Sequence, residues 1–364
     1  MATTGQEEFT LDTAAELAAR ESSAKIEGRS PWVLAGRRLR RNYVALAALF
    51  VFFLVVACCL LAPLYVSQIA HRGPSDTNTS GNIHEGGKTI AVLSNGGTTI
   101  SSNGTVTIKP AGQPIGPQWF AAGGQYIFGA DQLGRDLGTR LLYGGKNSLR
   151  VGLAAAAITT VLSVILALVA GYFGGIVDWI ISRVFDLIWA FPVVLLGIAL
   201  GTALSINGFH HFGINLAAGD LWIPTAVIAF VFIPYIGRPL RGQVLALRQK
   251  EFIEAATAQG AGALRIMFSE LLPNIASSVL VLFTLIVANT ILTEAGLSFL
   301  GAGVQPPNAS WGTLIADGQD WLSVDPWFSM FPGIAIALTV LSVNIFGDGL
   351  RDALDPRAKI RIEH

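Results

Sequence analysis

Few residues of this 364-residue chain have types and spacings that could support chemistry. The nearest approach to a phosphate-binding loop, at residues 81–89, misses the G-x4-G-K-[ST] spacing by one residue. His210 and His211 are adjacent, and this spacing matches neither an H-E-x-x-H motif nor a helical i, i+4 metal site. The acidic residues gather at the ends of apolar runs, so no Ser-His-Asp or paired-carboxylate arrangement stands out. We therefore expect no catalytic residue, no metal ion and no cofactor bound by this chain.

Composition indicates a membrane protein. Charged residues make up 13% of the chain and apolar residues 52%, whereas soluble domains carry about 25% charged residues. A nucleic-acid-binding protein would show a basic excess, but 24 Lys and Arg balance 24 Asp and Glu, so we expect no nucleic-acid partner. Cys58 and Cys59 are neighbours within an apolar run and are interpreted as packing residues.

Six runs free of Asp, Glu, Lys and Arg approach the length of about 20 residues that a helix needs to cross the hydrocarbon core. A charged side chain at the centre of such a helix would cost about 2.5–3.5 kcal/mol. The predicted spans are residues 43–66, 151–177, 187–203, 221–237, 271–293 and 326–347. The sequence therefore predicts an all-α integral membrane protein with six transmembrane helices in a lipid bilayer.

The distribution of Lys and Arg orients these helices. With the N-terminus in the cytoplasm, 17 of the 24 basic residues lie on the cytoplasmic side, and the outer loops 204–220 and 294–325 contain none. Residues 1–42 and 348–364 are therefore predicted to be cytoplasmic tails. This topology is N-in and C-in.

Residues 67–127 form an insertion between the first and second spans. Residues 67–125 are rich in Gly, Ser, Thr and Asn, and short runs of strand-forming residues alternate with Asn-Gly pairs. This pattern predicts a small extracytoplasmic β-meander, and a disordered low-complexity segment is the alternative.

The third cytoplasmic segment, residues 240–272, combines two short helices with a glycine turn. Helix formers occupy residues 251–259, glycines occur within 260–262, and a second helical stretch precedes Pro273. A compact helix–turn–helix with small residues at its tip fits a groove of another protein. A solvated linker is the alternative.

Residues 254–274, EAATAQGAGALRIMFSELLPN, resemble the EAA loop of ATP-binding-cassette (ABC) importer permeases. Glu270 departs from the pattern, because many relatives carry His before the closing Leu-Pro. In that family the loop is the coupling helix that docks into the cytoplasmic ATPase subunit. The resemblance assigns this coupling contact, within 251–272, to Glu251, Glu254, Ala255, Ala256, Gly260 and Arg265.

Four further segments resemble the C-type permease of dipeptide, oligopeptide and nickel importers: residues 128–152, 178–200, 294–315 and 344–357. The resemblance implies a type I ABC importer permease fold, with a first transmembrane helix at 43–66 and a permease core at 128–347 in the bacterial cytoplasmic membrane. It also implies a second homologous permease, two ATPase subunits that carry ATP and Mg, and an extracytoplasmic substrate-binding protein.

Peptides are the substrates that this resemblance implies. A nickel or glutathione importer permease is the alternative within the family. Outside it, an ATP-independent secondary carrier and a membrane scaffold or channel are the rival classes.

The sequence also suggests roles for polar residues within the predicted spans and near their outer ends. Polar side chains within helices join helices more often than they line a pathway, and the candidates for lining are Asn289, Thr290 and Asn344. In the outer motif, Gly134 permits a tight turn, and the charged neighbours are predicted to pair with each other or to anchor the outer end of the second span. These neighbours are Asp131, Arg135 and Asp136.

The predicted orientation can be tested with a reporter that is active only in the cytoplasm. We expect activity when the reporter follows residue 364 and silence when it is placed within residues 294–325, because the basic residues hold the tails on the cytoplasmic side. The reverse pattern would overturn the topology.

Overall fold

The computed structural model describes residues 31–85, 88–100, 106–119, 125–211 and 213–355. This part of the chain consists mainly of helices, with three two-stranded sheets. Residues 1–30 of the predicted N-terminal tail and 356–364 of the C-terminal tail lie outside the described residues.

The helices include both long apolar spans and short connecting elements. In chain order they are α1 (Pro31–Arg41), α2 (Tyr43–Leu60), α3 (Ala62–Tyr65), α4 (Leu137–Phe173), α5 (Gly175–Trp189), α6 (Val193–Asn207), α7 (Trp222–Arg248), α8 (Glu251–Ala258), α9 (Ala263–Arg265), α10 (Leu272–Phe299), α11 (Trp311–Gly318) and α12 (Trp327–Leu354). A π-helical turn at Val66–Ala70 follows α3, and another at Ile266–Leu271 joins α9 to α10. Among the described residues, five helices are long and apolar enough to cross a membrane: α2, α4, α7, α12 and the continuous helix that ends in α10.

The predicted span at 187–203 is a bent pair of helices. The axes of α5 and α6 meet at 88°, and the break between them comprises residues 190–192. Pro192 is the N-cap of α6. Since proline has no amide hydrogen and disfavours helical backbone at the preceding residue, a helix cannot pass through smoothly here. The prediction of one continuous helix is wrong, and α5 and α6 supply a sixth crossing only when the pair counts as one span.

Helix α4 starts well before residue 151, where the second span was predicted to begin. At its first turn the Asp136 side chain accepts a hydrogen bond from the Thr139 backbone amide at 2.7 Å, which is an N-cap. The helix ends at Gly174, whose φ is +65°. Its outer turns include the charged residue Arg140. A search for charge-free runs therefore detects only the later, apolar part of this helix.

The core lies where α4, α7, α10 and α12 pack together. Two hydroxyls on α4 bind backbone carbonyls of α7: Thr159 Oγ1 donates to Ala229 O at 3.0 Å, and Ser163 Oγ donates to Ile233 O at 2.9 Å. Such bonds join helices without placing charge in the bilayer. Helix α7 continues through two prolines to Arg248, beyond the predicted end at residue 237.

The insertion contains β-structure as predicted, but as two separate hairpins. The strands are β1 (Asn82–Glu85), β2 (Lys88–Ala91), β3 (Leu93–Ile100) and β4 (Val106–Pro114), and β1 pairs only with β2 and β3 only with β4. The Asn95-Gly96-Gly97 stretch, expected as a turn, lies within β3 beside a shift in register. Gly96 has a φ of +77°, which suits a bulge. The prediction of one meander is wrong. A third hairpin, β5 (Phe209–His211) with β6 (Ile214–Leu216), follows α6.

Helices α4 and α10 approach closely at Gly152. A Cβ atom there would lie 2.5 Å from Ile291 Cγ1 and 3.1 Å from Ile291 Cα. We expect Gly152→Val to lower the midpoint of thermal denaturation in detergent, because overpacking costs about 1–3 kcal/mol. Gly296→Ala on α10 is the matched control, since the described structure places nothing within 4 Å of that Cβ position. Equal midpoints for both variants would contradict this packing.

Candidate functional site

The cytoplasmic loop at 251–272 contains a helix, a glycine turn and a second helix. After α8, the Gly260 backbone amide donates to Thr257 O at 2.9 Å, and the Ala261 amide donates to Ala256 O at 3.1 Å. Gly260 has a φ of +79°. This is the Schellman arrangement, in which a left-handed residue ends a helix. A residue with a side chain would be strained at position 260.

Helix α8 is held to the rest of the chain mainly by one apolar side chain. Ile253 is 4% exposed and belongs to a buried cluster with Val244 and Leu271. The predicted coupling residues face outward: Glu251, Glu254, Ala255, Gly260 and Arg265 are exposed, and Ala256 is partly buried. The loop therefore presents small and charged residues to the outside while Ile253 fastens it to α7 and to the π-helical turn.

An open cleft of about 720 Å³ lies beside α8. It is lined by Tyr172 and Phe173 at the inner end of α4, by Arg248 at the end of α7, and by Glu254 of α8. A partner that binds α8 would therefore also meet the inner ends of two spans.

Ion pairs clamp α5 against α7 near the same end of the bundle. Arg241 contacts Asp178 through two nitrogens, with Nη2 at 2.5 Å from Oδ2. Arg238 Nη2 lies 2.7 Å from Asp186 Oδ1, and its guanidinium carbon lies 4.0 Å from the centre of the Trp189 ring. Sequence reasoning missed these pairs, although the close spacing of the two arginines along α7 was a usable signal.

At the outer end, a buried carboxylate holds two arginines. Asp131 is fully buried, and its Oδ2 atom lies 2.6 Å from Arg135 Nε and also contacts Arg140. Arg140 Nη1 additionally lies 3.0 Å from Asp317 Oδ2 on α11. The expected partner of Asp131 is present in Arg135, whereas Arg140 and Asp317 were not identified from the sequence. The network joins the segment before α4 to α11.

Asp136 and Gly134 join the same outer region to the insertion and to α4, and the Gly134 backbone amide donates to Asp131 O at 2.9 Å. Besides capping α4, Asp136 accepts a hydrogen bond from the Tyr126 backbone amide at 2.9 Å. Burial raises the pKa of Asp136 above its ordinary value, and the backbone hydrogen bonds act in the opposite direction. A Cβ atom at Gly134 would lie 2.3 Å from Asn78 O. Glycine is therefore required here because the backbone of the insertion passes against it.

The three polar candidates for pathway lining differ in exposure. Thr290 is fully buried, and its Oγ1 lies 2.9 Å from Gly152 O of α4 and 2.9 Å from Ile286 O of its own helix, so it lies at the contact between α10 and α4. Asn289 lies on the exposed face of α10 and donates to Leu285 O at 2.8 Å. Asn344 on α12 is partly buried.

Glu294 is a residue whose position sequence reasoning misjudged. It was assigned to the outer loop 294–325, but it lies inside α10 and is fully buried. Its Oε1 atom accepts a hydrogen bond from Ser298 Oγ at 2.7 Å. The apolar helical pattern that continues to Phe299 was the available signal.

Two family models match the chain. Residues 163–360 match the binding-protein-dependent transport system inner membrane component, and residues 30–82 match the N-terminal TM domain of oligopeptide transport permease C.

Similar proteins align over most of the chain. The dipeptide transport system permease protein DppC of Alkalihalophilus pseudofirmus is 34% identical over 91% of each chain. The oligopeptide transport system permease protein OppC of Haemophilus influenzae is 33% identical over 95% of each. The glutathione transport system permease protein GsiD of Escherichia coli is 35% identical over 91% of this chain and 92% of its own. An inward-facing structure of the MetNI methionine ABC transporter aligns with 59% of this chain and 96% of its own, at a TM-score of 0.47 and 16% identity.

The first family model covers more than half of the chain, so the chain belongs to the family of binding-protein-dependent transport system inner membrane components. It is a multi-pass permease subunit of the inner membrane. Within this family, the match at its N-terminal span identifies it with the C-type oligopeptide permeases. The resemblance to the C-type permeases and the predicted all-α membrane fold are confirmed.

Asp131 provides a test of the outer network. We expect Asp131→Asn to destabilise the outer end of the bundle, since removing one side of a buried ion pair leaves uncompensated charge and costs about 3–5 kcal/mol. The measurement is the midpoint of thermal denaturation in detergent. Asp320→Asn is the control, because Asp320 is an exposed carboxylate of the same outer region. A midpoint for Asp131→Asn that equals the control's would refute a stabilising role for the network.

Proposed function

We propose that this chain forms one half of the translocation pathway of an ATP-driven ABC importer for peptides. The observation that carries the proposal is the loop at 251–272, which exposes Glu254 and the Gly260 turn while Ile253 anchors it to the bundle. Relatives named as dipeptide and oligopeptide permeases align over nearly the whole chain. Both observations support a subunit that receives mechanical work at its cytoplasmic face.

The proposal includes four partner proteins of three kinds. Two ATPase subunits bind ATP and Mg, and one of them docks on α8 of this chain, so this chain itself catalyses no reaction. A second homologous permease completes the pathway, because α10 leaves one face open, with Leu285, Asn289 and Leu292 exposed along it. An extracytoplasmic binding protein delivers the substrate to the outer side.

The proposed mechanism follows the connections of α8. ATP binding draws the two ATPase subunits together and displaces α8. Helix α8 follows α7 after two residues and leads through α9 and a π-helical turn into α10. A displacement of α8 is therefore transmitted to the inner ends of both α7 and α10. Movement of α7 and α10 relative to the second permease then changes which side of the pathway is open.

A glutathione importer is the second candidate. The relative that favours it is the glutathione permease, 35% identical over 91% of this chain. Since glutathione is itself a small peptide, the two candidates share the same membrane chemistry, and uptake of each compound must be measured.

Substitutions at Gly260 and at the neighbouring Gly262 test the coupling role. We expect Gly260→Val to reduce ATP-dependent uptake about five- to thirtyfold, because a left-handed conformation costs a residue with a side chain roughly 1–2 kcal/mol. Gly262→Val should retain uptake, since neither glycine has an atom within 4 Å of its Cβ position in the described structure and only Gly260 has positive φ.

The measurement requires this chain in proteoliposomes with its second permease, both ATPase subunits and the binding protein. Uptake of a dipeptide, an oligopeptide and glutathione is followed together with ATP hydrolysis. Uncoupling appears as continued hydrolysis with reduced uptake. Equal uptake by both glycine variants would exclude the coupling role, and uptake without ATP would establish a secondary carrier instead.

A further inference from the structure

Glu294 is a buried carboxylate that the proposed mechanism does not use. Within the described part of the chain, its carboxyl group accepts a hydrogen bond from the Ser298 hydroxyl, and the hydroxyls of Ser148 and Ser310 lie nearby. The Ser298 hydroxyl lies at 2.7 Å from Oε1, and Oε2 has no hydrogen bond of normal geometry. These four residues, which we call the Glu294 hub, come from α4, α10 and the N-cap of α11.

The hydrogen-bond directions in the Glu294 hub are determined by its backbone partners. Each serine oxygen already accepts a hydrogen bond from a backbone amide. The pairs are Val304 to Ser298 at 2.9 Å, Trp311 to Ser148 at 3.1 Å and Thr313 to Ser310 at 3.2 Å. A hydroxyl has one hydrogen to donate, so all three remain available for the carboxylate. A carboxyl oxygen, which accepts hydrogen bonds, fits this arrangement.

The amides that bind the hub serines belong to the outer segment at 300–310 and to the first turn of α11. The same region is fastened to α4 by two further bonds: Asn147 Nδ2 donates to Ala309 O at 2.8 Å, and Trp311 Nε1 donates to Leu141 O at 3.1 Å. Loss of the hub would therefore loosen one connected outer structure.

We propose that Glu294 is a positioning residue for transport. The Glu294 hub locks the outer segment at 300–310 and α11 onto α4 and α10, so that the outer end of the pathway moves as one body when α8 is displaced. This role rests on the proposed function, because it requires a moving bundle. The side chain of Glu294 thereby acts inside the protein rather than on a substrate.

The test compares Glu294→Gln with the parent chain, each carrying Gln305→Cys as a reporter in the outer segment. Glutamine keeps the shape, but its amide group donates two hydrogens toward oxygens that already accept. We expect a membrane-impermeant maleimide to label position 305 about tenfold faster in Glu294→Gln, a factor that corresponds to about 1.4 kcal/mol. Background labelling of Cys58 and Cys59 is measured in the chain without the reporter.

Transport is measured with the same variants in proteoliposomes. We expect peptide uptake in Glu294→Gln to fall about tenfold while ATP hydrolysis continues. Ser298→Ala, which keeps the carboxylate, is the second variant if Glu294→Gln fails to insert. Ser323→Ala is the control, because it removes an exposed outer hydroxyl.

Three results would overturn the proposal. Unchanged labelling in the inserted variants would show that the hub does not hold the outer segment. Faster labelling with unchanged uptake would show that the segment has no part in transport. An equal effect of Ser323→Ala on labelling and uptake would show that these effects are not specific to the Glu294 hub. Labelling does not depend on ATP, so it reports on the hub even when the parent chain fails to transport peptides.

Discussion

The exclusion of uncompensated charge from hydrocarbon shapes this bundle more than any single contact. Its ion pairs occur near the two ends, at Asp131 with Arg140 and at Asp178 with Arg241. Between them, helices are joined by hydroxyls that donate to backbone carbonyls, as Thr159 and Ser163 do. These bonds satisfy polar groups without adding charge. The middle of the bundle is therefore held by close packing, and the charges determine how loops and short helices attach at its ends.

The helix and glycine turn of the loop at 251–272 were predictable from sequence because their determinants are local. The amides of Gly260 and Ala261 end α8 through bonds that span only three and five positions. Helix formers followed by glycine are a signal that one segment carries alone. The apolar stretches were predictable for a similar reason. A run without charge reveals where hydrocarbon surrounds the chain, even though it does not reveal where the helix ends.

The features that sequence reasoning missed depend on residues that are distant in the chain. Arg140 meets Asp317 across 177 positions, and Thr290 meets the backbone of Gly152 across 138. Glu294 was misjudged although the helical pattern up to Phe299 was a local signal. The serines near its carboxyl group come from three separate segments and could not be identified from the sequence. The bend before α6 is different, because Pro192 was visible as a local signal. An apolar run was there given more weight than the tendency of proline to break or kink a helix.

The two ends of the bundle differ in how firmly their charges are held. At the outer end Asp131 is fully buried and Arg140 is 4% exposed, so opening that network exposes or orphans a charge at high cost. At the inner end the side chains of Arg238 and Asp186 are 33% and 47% exposed, and pairs of this kind contribute about 0–1 kcal/mol. Rearrangement is therefore cheaper at the cytoplasmic end than at the outer end. That asymmetry suits a subunit driven from the cytoplasmic side, because a displacement of α8 can change the inner contacts first while the outer end moves as a unit.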